Sequence, residues 1–382
     1  MTGARVAVLT PSGRGAVASL LVSDGVELID HHRLFEAANG RPLAAQDPGR
    51  ICYGLWGGDG HVLPSEQIVV CRTGESRVEL HCHGGAAAVQ RILDDLVESG
   101  AIHCDWADLV AGSAGSPTRQ VEIELVEALA AATTWRVAAI LLDQQSGVLV
   151  KSLERLAAFD WDQQHQAASC VAGLLDWSTL GRRLVHPPTV VLAGVPNVGK
   201  SSLLNALLGF GRAIVWDQPG TTRDVVTGRT ALEGWSVRLA DTAGLRIAGD
   251  QVEAVGVEHA RRELGVADLV VLVVDRSHPL DDQARQLMDE WPEALVVANK
   301  CDLDDVTDGS LPGGTLKVSA LTGEGIDELA GAIVARLVPA TPEPGTAVPV
   351  SERLIECLEA VARAIDAGDE AGFRAAVAET IG

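Results

Sequence analysis
The sequence predicts an α/β fold: a mostly parallel sheet with helices on both faces, flanked by helical segments and preceded by a small α+β domain. Three observations carry this. Residues 186 to about 338 alternate short apolar runs with helical patterns, the rhythm of successive strand–helix units. Within them the run Val190-Val191-Leu192-Ala193 enters a glycine-bounded loop, then the helix-forming Leu203-Leu204-Asn205-Ala206-Leu207-Leu208. Ahead of these, residues 1 to about 114 alternate strand-like runs with glycine-rich turns, and Pro117 to Leu184 reads as helices.

With 382 residues the chain is long enough for two or three domains and a full core. A hydrophobic share of 47% places it among globular proteins. No apolar run reaches the length of a membrane span, and Met1 to Thr10 lacks a signal-cleavage pattern, so a cytoplasmic protein without membrane contact is expected. The net charge of −22 argues against broad, non-specific nucleic-acid binding, which needs clustered cations, but leaves room for a local basic groove. Seven scattered cysteines, Cys52, Cys71, Cys82, Cys104, Cys170, Cys301 and Cys357, fit reduced thiols better than a disulfide framework. His81-Cys82-His83 and His103-Cys104 have some look of a metal site, but the two histidines would share one strand face with Cys82 opposite. No further paired ligands of zinc-site spacing complete them, so a structural role is expected.

In the first domain, Val6 to Leu9, Ala16 to Val22, Gln67 to Cys71 and Val78 to His83 read as strands. After Gly84-Gly85 a helix follows, with Val89, Ile92, Leu93 and Leu96 at spacings of three and four. Arg14 and Glu79 are open to a ligand-binding role or to ordinary turn and surface roles. In the helical stretch, Val121, Leu125, Ala128 and Leu129 form one stripe, and Val148, Leu149, Leu153 and Leu156 another. Trp161 and Trp177 read as packing residues, and Pro187-Pro188 ends the helices. The α/β strands are expected at Thr189–Ala193, Ser236–Ala240, Asp268–Asp275, Ala294–Ala298 and Leu316–Val318. Ala340 to Val350, rich in Pro, Gly and Thr, reads as a linker. Leu354, Ile355, Leu358, Val361, Ala362 and Ile365 then line one face of a final helix, most simply packed on the earlier helices.

The loop Gly194-Val195-Pro196-Asn197-Val198-Gly199-Lys200-Ser201 has phosphate-binding P-loop spacing. Its glycines let successive N–H groups face an anion at a helix N-terminus. Lys200 would reach the β and γ phosphates, and the Ser201 hydroxyl would hold Mg²⁺. In Gly220-Thr221-Thr222-Arg223-Asp224 a threonine, Thr222, can bind Mg²⁺ by its hydroxyl and the γ-phosphate by its N–H. Asp241-Thr242-Ala243-Gly244 ends a strand. Asp241 can hold Mg²⁺ through a water, and the Gly244 N–H can meet the γ-phosphate. Asn299-Lys300-Cys301-Asp302 ends another strand, and a carboxylate at Asp302 matches the N1–H and exocyclic amino donors of guanine. Adenine offers no such pair and would leave the carboxylate unpaired. Ser319-Ala320 supplies a backbone contact to guanine O6. Four motifs in this order, each at a strand end or loop where open α/β sheets bind ligands, point to a GTP/GDP-binding, GTP-hydrolysing domain. Leu245 occupies the place of the water-orienting glutamine of Ras-like proteins and cannot orient water. Glu253 or a cation near the P-loop are the candidates, although Glu253 by itself reads more readily as a solvated surface carboxylate.

Gly194 to Asn205, Gly220 to Asp224 and Asp241 to Arg246 together resemble the MnmE (TrmE) family of tRNA-modification GTPases. Asp250-Gln251-Val252-Glu253 with Val255-Gly256-Val257 strengthens that match over the related Era and Der GTPases. Thr10-Pro11-Ser12-Gly13-Arg14-Gly15-Ala16-Val17 is similar to the family's opening, and Gly74-Glu75 through Val78-Glu79-Leu80 to His83-Gly84-Gly85 to its later signature. The resemblance implies a Ras-like G domain (residues 186–340) inserted in a helical domain (115–185 and 341–382), after an N-terminal folate-binding and dimerisation-like domain (1–114). It implies a homodimer, binding of formyl-tetrahydrofolate, and K⁺-stimulated hydrolysis when two G domains meet. It also implies tRNA wobble-uridine modification with a MnmG (GidA)-type flavoprotein. Asn197 matches the family's potassium ligand, and Trp216, Asp217, Gln218, Pro219, Gly220, Thr221 and Thr222 fall in its potassium-binding loop. Trp216, Gln218 and Thr221 are the remaining K⁺ ligands expected there. Glu253 matches the glutamate that positions the attacking water through a second water. A bound cation can supply charge stabilisation otherwise given by an arginine finger. The GTP-binding set thus comprises Asn197, Val198, Gly199, Lys200, Ser201, Ser202, the loop Trp216 to Thr222, Asp241, Thr242, Ala243, Gly244, Asn299, Lys300, Asp302, Ser319 and Ala320. Lys200, Thr222 and Glu253 are catalytic in this reading.

The sequence also departs from the family pattern. Trp216 stands where Thr or Ser is usual, a change that ligation through main-chain oxygens survives. Thr380 stands in place of a cysteine important for modification, and the terminal lysine is missing. Leu21 replaces the arginine of an early Arg-Ile-Ser-Gly motif, the Pro-Gly-Glu-Phe segment expected near residue 107 is absent, and both helical segments are shorter. These departures bear on folate use and tRNA chemistry rather than on GTP hydrolysis. They leave a second expectation open: a regulatory or ribosome-associated GTP switch without tRNA-modifying chemistry.

Overall fold
Alternating burial organises the N-terminal strands of this computed structural model, which describes residues 3–11, 15–57, 65–110, 117–210, 227–241, 267–307 and 311–382. The chain forms two compact units, Met1–Val126 and Glu127–Gly382. In the first, β1 (Arg5–Val8), β2 (Val17–Ser23), β3 (Phe35–Ala37), β4 (Ile51–Trp56), β5 (Glu66–Arg72), β6 (Val78–His83) and β7 (Ile102–His103) form one sheet. Its order is β3-β4-β5-β6-β2-β1-β7, antiparallel except between β1 and β7. Along β4, Cys52, Gly54 and Trp56 are buried while Ile51, Tyr53 and Leu55 are exposed, as a period of two requires. Helices α1 (Val26–His31) and α2 (Ala86–Glu98) cover the buried face with Ile29, Ile92, Leu93 and Leu96. Each such side chain contributes about 1.5–3 kcal/mol by leaving water. The buried Trp56 indole is not orphaned, because its Nε1 donates to Asp95 Oδ2 at 2.9 Å.

Cys82 belongs to this core, whereas His81 lies on the other face in a 2.8 Å hydrogen bond with Ser19 Oγ. His83 instead pairs with Glu66 at 2.6 Å. Among the described residues no three His, Cys, Asp or Glu side chains gather as metal ligands. The short α3 (Trp106–Val110) packs beside β1, where Leu109 joins Ala7 and Leu21. Helix α4 (Arg119–Ala131) then carries the chain into the second unit.

The second unit opens with α5 (Trp135–Asp143), α6 (Leu149–Ala157), α7 (Gln164–Leu175) and α8 (Ser178–Val185). Between α5 and α6, Gln144–Val148 form a π-helical turn in which Gly147 takes φ 103°. The α/β part comprises β8 (Thr189–Ala193), α9 (Lys200–Phe210), β9 (Thr227–Leu232), β10 (Trp235–Asp241), β11 (Leu269–Asp275) and α10 (Asp282–Glu290). It continues through β12 (Leu295–Asn299), β13 (Leu316–Lys317) and α11 (Ile326–Leu337). The sheet runs β13-β12-β11-β8-β10-β9 and is parallel except for the β9–β10 hairpin. Burial of every residue from Leu269 to Val274 is what a parallel strand covered on both faces demands.

The five expected strands form within a residue at each end, and β9 is an addition. Thr227-Gly228-Arg229-Thr230 has little apolar alternation, so its strand character comes from pairing with β10. The connecting Glu233-Gly234, both with positive φ (47° and 83°), suits a two-residue hairpin turn. Helices α12 (Glu352–Ala367) and α13 (Glu370–Ile381) complete the unit, α12 packing on α7 and α13 on α6. Leu354, Ile355, Leu358 and Val361 are buried in that stripe, with Ala362 and Ile365 half-buried at its edge. Trp161 stacks on Phe373 at 5.5 Å between ring centroids.

The stretch expected as a linker is instead built into the unit. Val348 and Val350 are buried, and the buried Gln144 accepts from Val348 N at 3.0 Å and donates to Thr346 O at 3.0 Å. Asp143 accepts from Gly345 N at 2.7 Å. Proline and glycine removed helical periodicity here, but the Asp143 carboxylate at the end of α5 and the Gln144 amide of the π-helical turn replaced the missing backbone partners.

Candidate nucleotide site
The site begins where β8 ends. Gly194 (φ 146°) turns the chain out of the sheet, and a Cβ there would strike Val273 O. Gly199 (φ 95°) turns it into α9, and a Cβ there would strike the Asn299 side-chain amide. Both glycines are therefore required by backbone angle and by space. Asn197 between them also has positive φ (67°), a conformation asparagine tolerates better than most residues, and it is exposed. The loop delivers Lys200 to the first position of α9, a helix N-terminus whose aligned peptide dipoles favour an anion. Lys200 is buried and its Nζ donates to Gly194 O and Val195 O, each at 2.9 Å, so the ammonium lies across the loop that it is expected to serve.

The next residue, Ser201, donates its hydroxyl to Asp241 Oδ2 at 2.5 Å. Asp241 is the last residue of β10, which pairs in parallel with β8, so the two strand ends bring hydroxyl and carboxylate together. This is a pair of hard oxygen donors of the kind Mg²⁺ takes.

At the other end, buried Asn299 joins three segments. Its Nδ2 donates to Val198 O at 2.8 Å, and its Oδ1 accepts from Ala320 N at 3.1 Å. Asp302 is exposed, and fully buried Ser319 donates its hydroxyl to Asp302 Oδ1 at 2.5 Å. The same Ser319 Oγ accepts from Thr322 N at 3.1 Å, which orients the loop and the carboxyl together. Ser202 lies exposed on the first turn of α9.

Asp275 is the residue sequence reasoning missed. It closes β11 directly beside Asn299 in the register, and its Oδ2 accepts from Lys300 Nζ at 2.6 Å. Its Oδ1 accepts from Ser277 N at 2.9 Å and from Ser277 Oγ at 2.6 Å. Burial pushes the Asp275 carboxyl up, but hydrogen bonds from Lys300 and Ser277, with the Lys300 charge, outweigh it and hold it below the usual range. An aspartate ending an apolar strand was the available signal. Asp275, His278 and Lys300 line a cavity of about 420 Å³ beside Asn197. The expected Trp216, Asp217, Gln218, Pro219, Gly220, Thr221, Thr222, Thr242, Ala243, Gly244 and Glu253 lie outside the described residues, as do Arg14 and Leu245.

Comparison with known proteins agrees with this geometry. A family model described as 50S ribosome-binding GTPase matches residues 189–300, from the first strand of the sheet to Lys300. The tRNA modification GTPase MnmE of Symbiobacterium thermophilum is 35% identical over 85% of this chain and 80% of its own. That of Geobacillus thermodenitrificans is 34% identical over 94% of this chain and 87% of its own. The G domain of the Thermotoga maritima FeoB iron transporter is 30% identical over 40% of this chain and 99% of its own. Its TM-score with this chain is 0.30. With its P-loop GTPase sheet, its helical region and relatives matched over most of its length, the chain is a GTP-hydrolysing member of the MnmE family of tRNA modification GTPases.

Proposed function
We propose that the chain binds GTP through Asn197 to Ser202, Asp241, Asn299, Lys300, Asp302, Ser319 and Ala320, and couples its hydrolysis to modification of tRNA wobble uridine. The observation that carries this is the double tie of Asn299, which joins the phosphate loop to the Ser319–Ala320 loop in one frame, while Ser319 in turn holds the Asp302 carboxylate. Only a ligand with phosphates at one end and a guanine-type donor pair at the other uses all of that frame. Lys200 lies against the β and γ phosphates, and Asp302 accepts from the guanine N1–H and amino group. Ser201 and Thr222 would hold Mg²⁺, which would supply positive charge to the phosphates. The Ser201–Asp241 pair supports this fit. Asn197 with Trp216, Gln218 and Thr221 holds K⁺, and the exposed, left-handed Asn197 is compatible with that role. Glu253 positions the attacking water. Two copies of the chain act together, with a MnmG-type flavoprotein as the partner on tRNA.

The named function of the relatives supports the tRNA part. The decisive experiment is mass spectrometry of tRNA nucleosides from a strain lacking the protein. Loss of the wobble-uridine modification is expected, and an unchanged nucleoside profile refutes the coupling.

A second reading has its own support. Thr380 stands at the family's cysteine position, and it is fully buried with its hydroxyl donated to Val377 O at 2.7 Å, so no thiol is supplied there. With the ribosome-binding description of the matching family model, this favours a GTP switch on a ribosomal partner. Recovery of ribosomal proteins without the flavoprotein in a pull-down is its expected outcome.

A further inference from the structure
We infer that Asp275 is a positioning residue for nucleotide binding, holding the Lys300 side chain in place before the nucleotide arrives. This rests on the reading of Lys300 as a nucleotide contact and adds a residue that no motif of the site contains.

Lys300 is held at both ends. Its backbone has positive φ (66°), a conformation that a lysine does not favour and that the neighbours maintain. Asn299 before it is tied to Val198 and Ala320, Cys301 after it donates to Val318 O at 2.9 Å, and Leu303 N donates to Lys300 O at 2.9 Å. Its far end is the 2.6 Å bond from Nζ to Asp275 Oδ2. Asp275 is itself immobilised. Its other oxygen takes two hydrogen bonds from Ser277, and its backbone sits at the end of β11, paired in register with Asn299. His278 Nδ1 stands 3.2 Å from the same Oδ2 on its exposed side.

A lysine is a compact charge on a flexible four-carbon stem, and its freedom must be lost when it packs against a ligand. Here that loss is already incurred in the ligand-free protein, because the pair is only partly exposed to solvent: 33% for Lys300 and 12% for Asp275. Preorganisation of this kind raises affinity without adding any contact to the ligand. The adjacency of β11 and β12 is what makes it possible, since residues 25 apart in sequence end side by side.

The test is a double-mutant cycle on the full chain, read by equilibrium binding of a fluorescent GDP analogue. Asp275→Ala is expected to weaken binding roughly tenfold, and Asp275→Asn, which keeps the volume and an acceptor oxygen, roughly threefold. In a Lys300→Ala background, Asp275→Ala should change the affinity less than about twofold. The KM for GTP should rise by the same factor as the dissociation constant, and by more than kcat falls. Equal factors in both backgrounds would make Asp275 a merely structural residue and overturn the inference, as would unchanged binding in Asp275→Ala. If Lys300→Ala alone leaves binding unchanged, the assignment of Lys300 to the nucleotide fails, and the positioning role fails with it.

Discussion
In the proposed site, Asp302 and Ser319 make base recognition a matter of two oxygen atoms. Because Ser319 holds one carboxylate oxygen, the side chain is oriented and its other oxygen is left to meet a base. Asp302→Asn replaces an acceptor by a donor and suits xanthine, which carries an acceptor where guanine carries its amino group. The variant is expected to lose about 1–3 kcal/mol of guanine-nucleotide binding and to prefer xanthosine nucleotides. Competition between GTP and XTP measures this, and an unchanged preference for GTP removes the base-recognition role. At Asp275 the folded carboxyl lies below its ordinary value of 3.8. A depressed carboxylate contributes stability that is fully present above pH 3.8 and is lost as pH falls through the lower folded value. The stability advantage over Asp275→Asn should therefore shrink on acidification below pH 3.8, as read from denaturant midpoints. An advantage that grows there contradicts the pairing. Of these residues, Asp302 and Ser319 were legible from a motif whose chemistry is local, whereas the Asp275–Lys300 pair arises only when two strands align.

At the scale of elements, the β8–loop–α9 unit was legible almost to the residue, since an apolar run, spaced glycines and a helix-forming run are all local signals. The strap from Gly345 to Val350 was not. Pro and Gly are ambiguous between an open linker and a segment held by tertiary partners, and here Asp143 and Gln144 supply those partners. Helix α8 meets this strap through Gly181, where a Cβ would strike Pro349 O. Gly181→Ala is thus expected to destabilise the protein by about 1–3 kcal/mol through overpacking. Gly173 in α7 has open space around its Cβ position, so Gly173→Ala should instead stabilise by up to about 1 kcal/mol. Chemical denaturation of the two variants decides the point, and equal shifts would mean that the strap does not press on α8.

For the whole molecule, the α/β domain is tied to its helical segments from both sides of the sequence. Arg136 lies over the Trp235 ring at 5.6 Å from its centroid, and Thr133 Oγ1 donates to Ser236 Oγ at 2.9 Å, fastening the β9–β10 hairpin to the start of α5. Arg183 of α8 donates to Leu337 O at the end of α11 and lies 3.6 Å from Asp268. Hydrolysis in this domain is proposed to depend on K⁺ and on a second copy of the chain. GTPase activity should therefore be at least about tenfold higher in KCl than in NaCl, and Glu253→Ala should lower kcat by about 10²–10³. With a transition-state analogue of GTP, the two G domains of the dimer should come together in KCl only, as the distance between labels placed on them reads. Equal rates in the two salts remove the cation from the mechanism.

The sequence by itself determined the order of the nucleotide-site motifs and the alternation that makes an α/β sheet, because each is written in residues near one another. It also located the apolar stripe of α12 and its packing on the earlier helices, but not which of them it meets. Tertiary structure alone decided that α12 packs on α7, that β9 joins the sheet beside β10, and that a Pro- and Gly-rich stretch is buried. It alone placed Asp275 against Lys300. Each of these depends on partners brought together from separate stretches of chain, which hydrophobic period and local propensity do not encode.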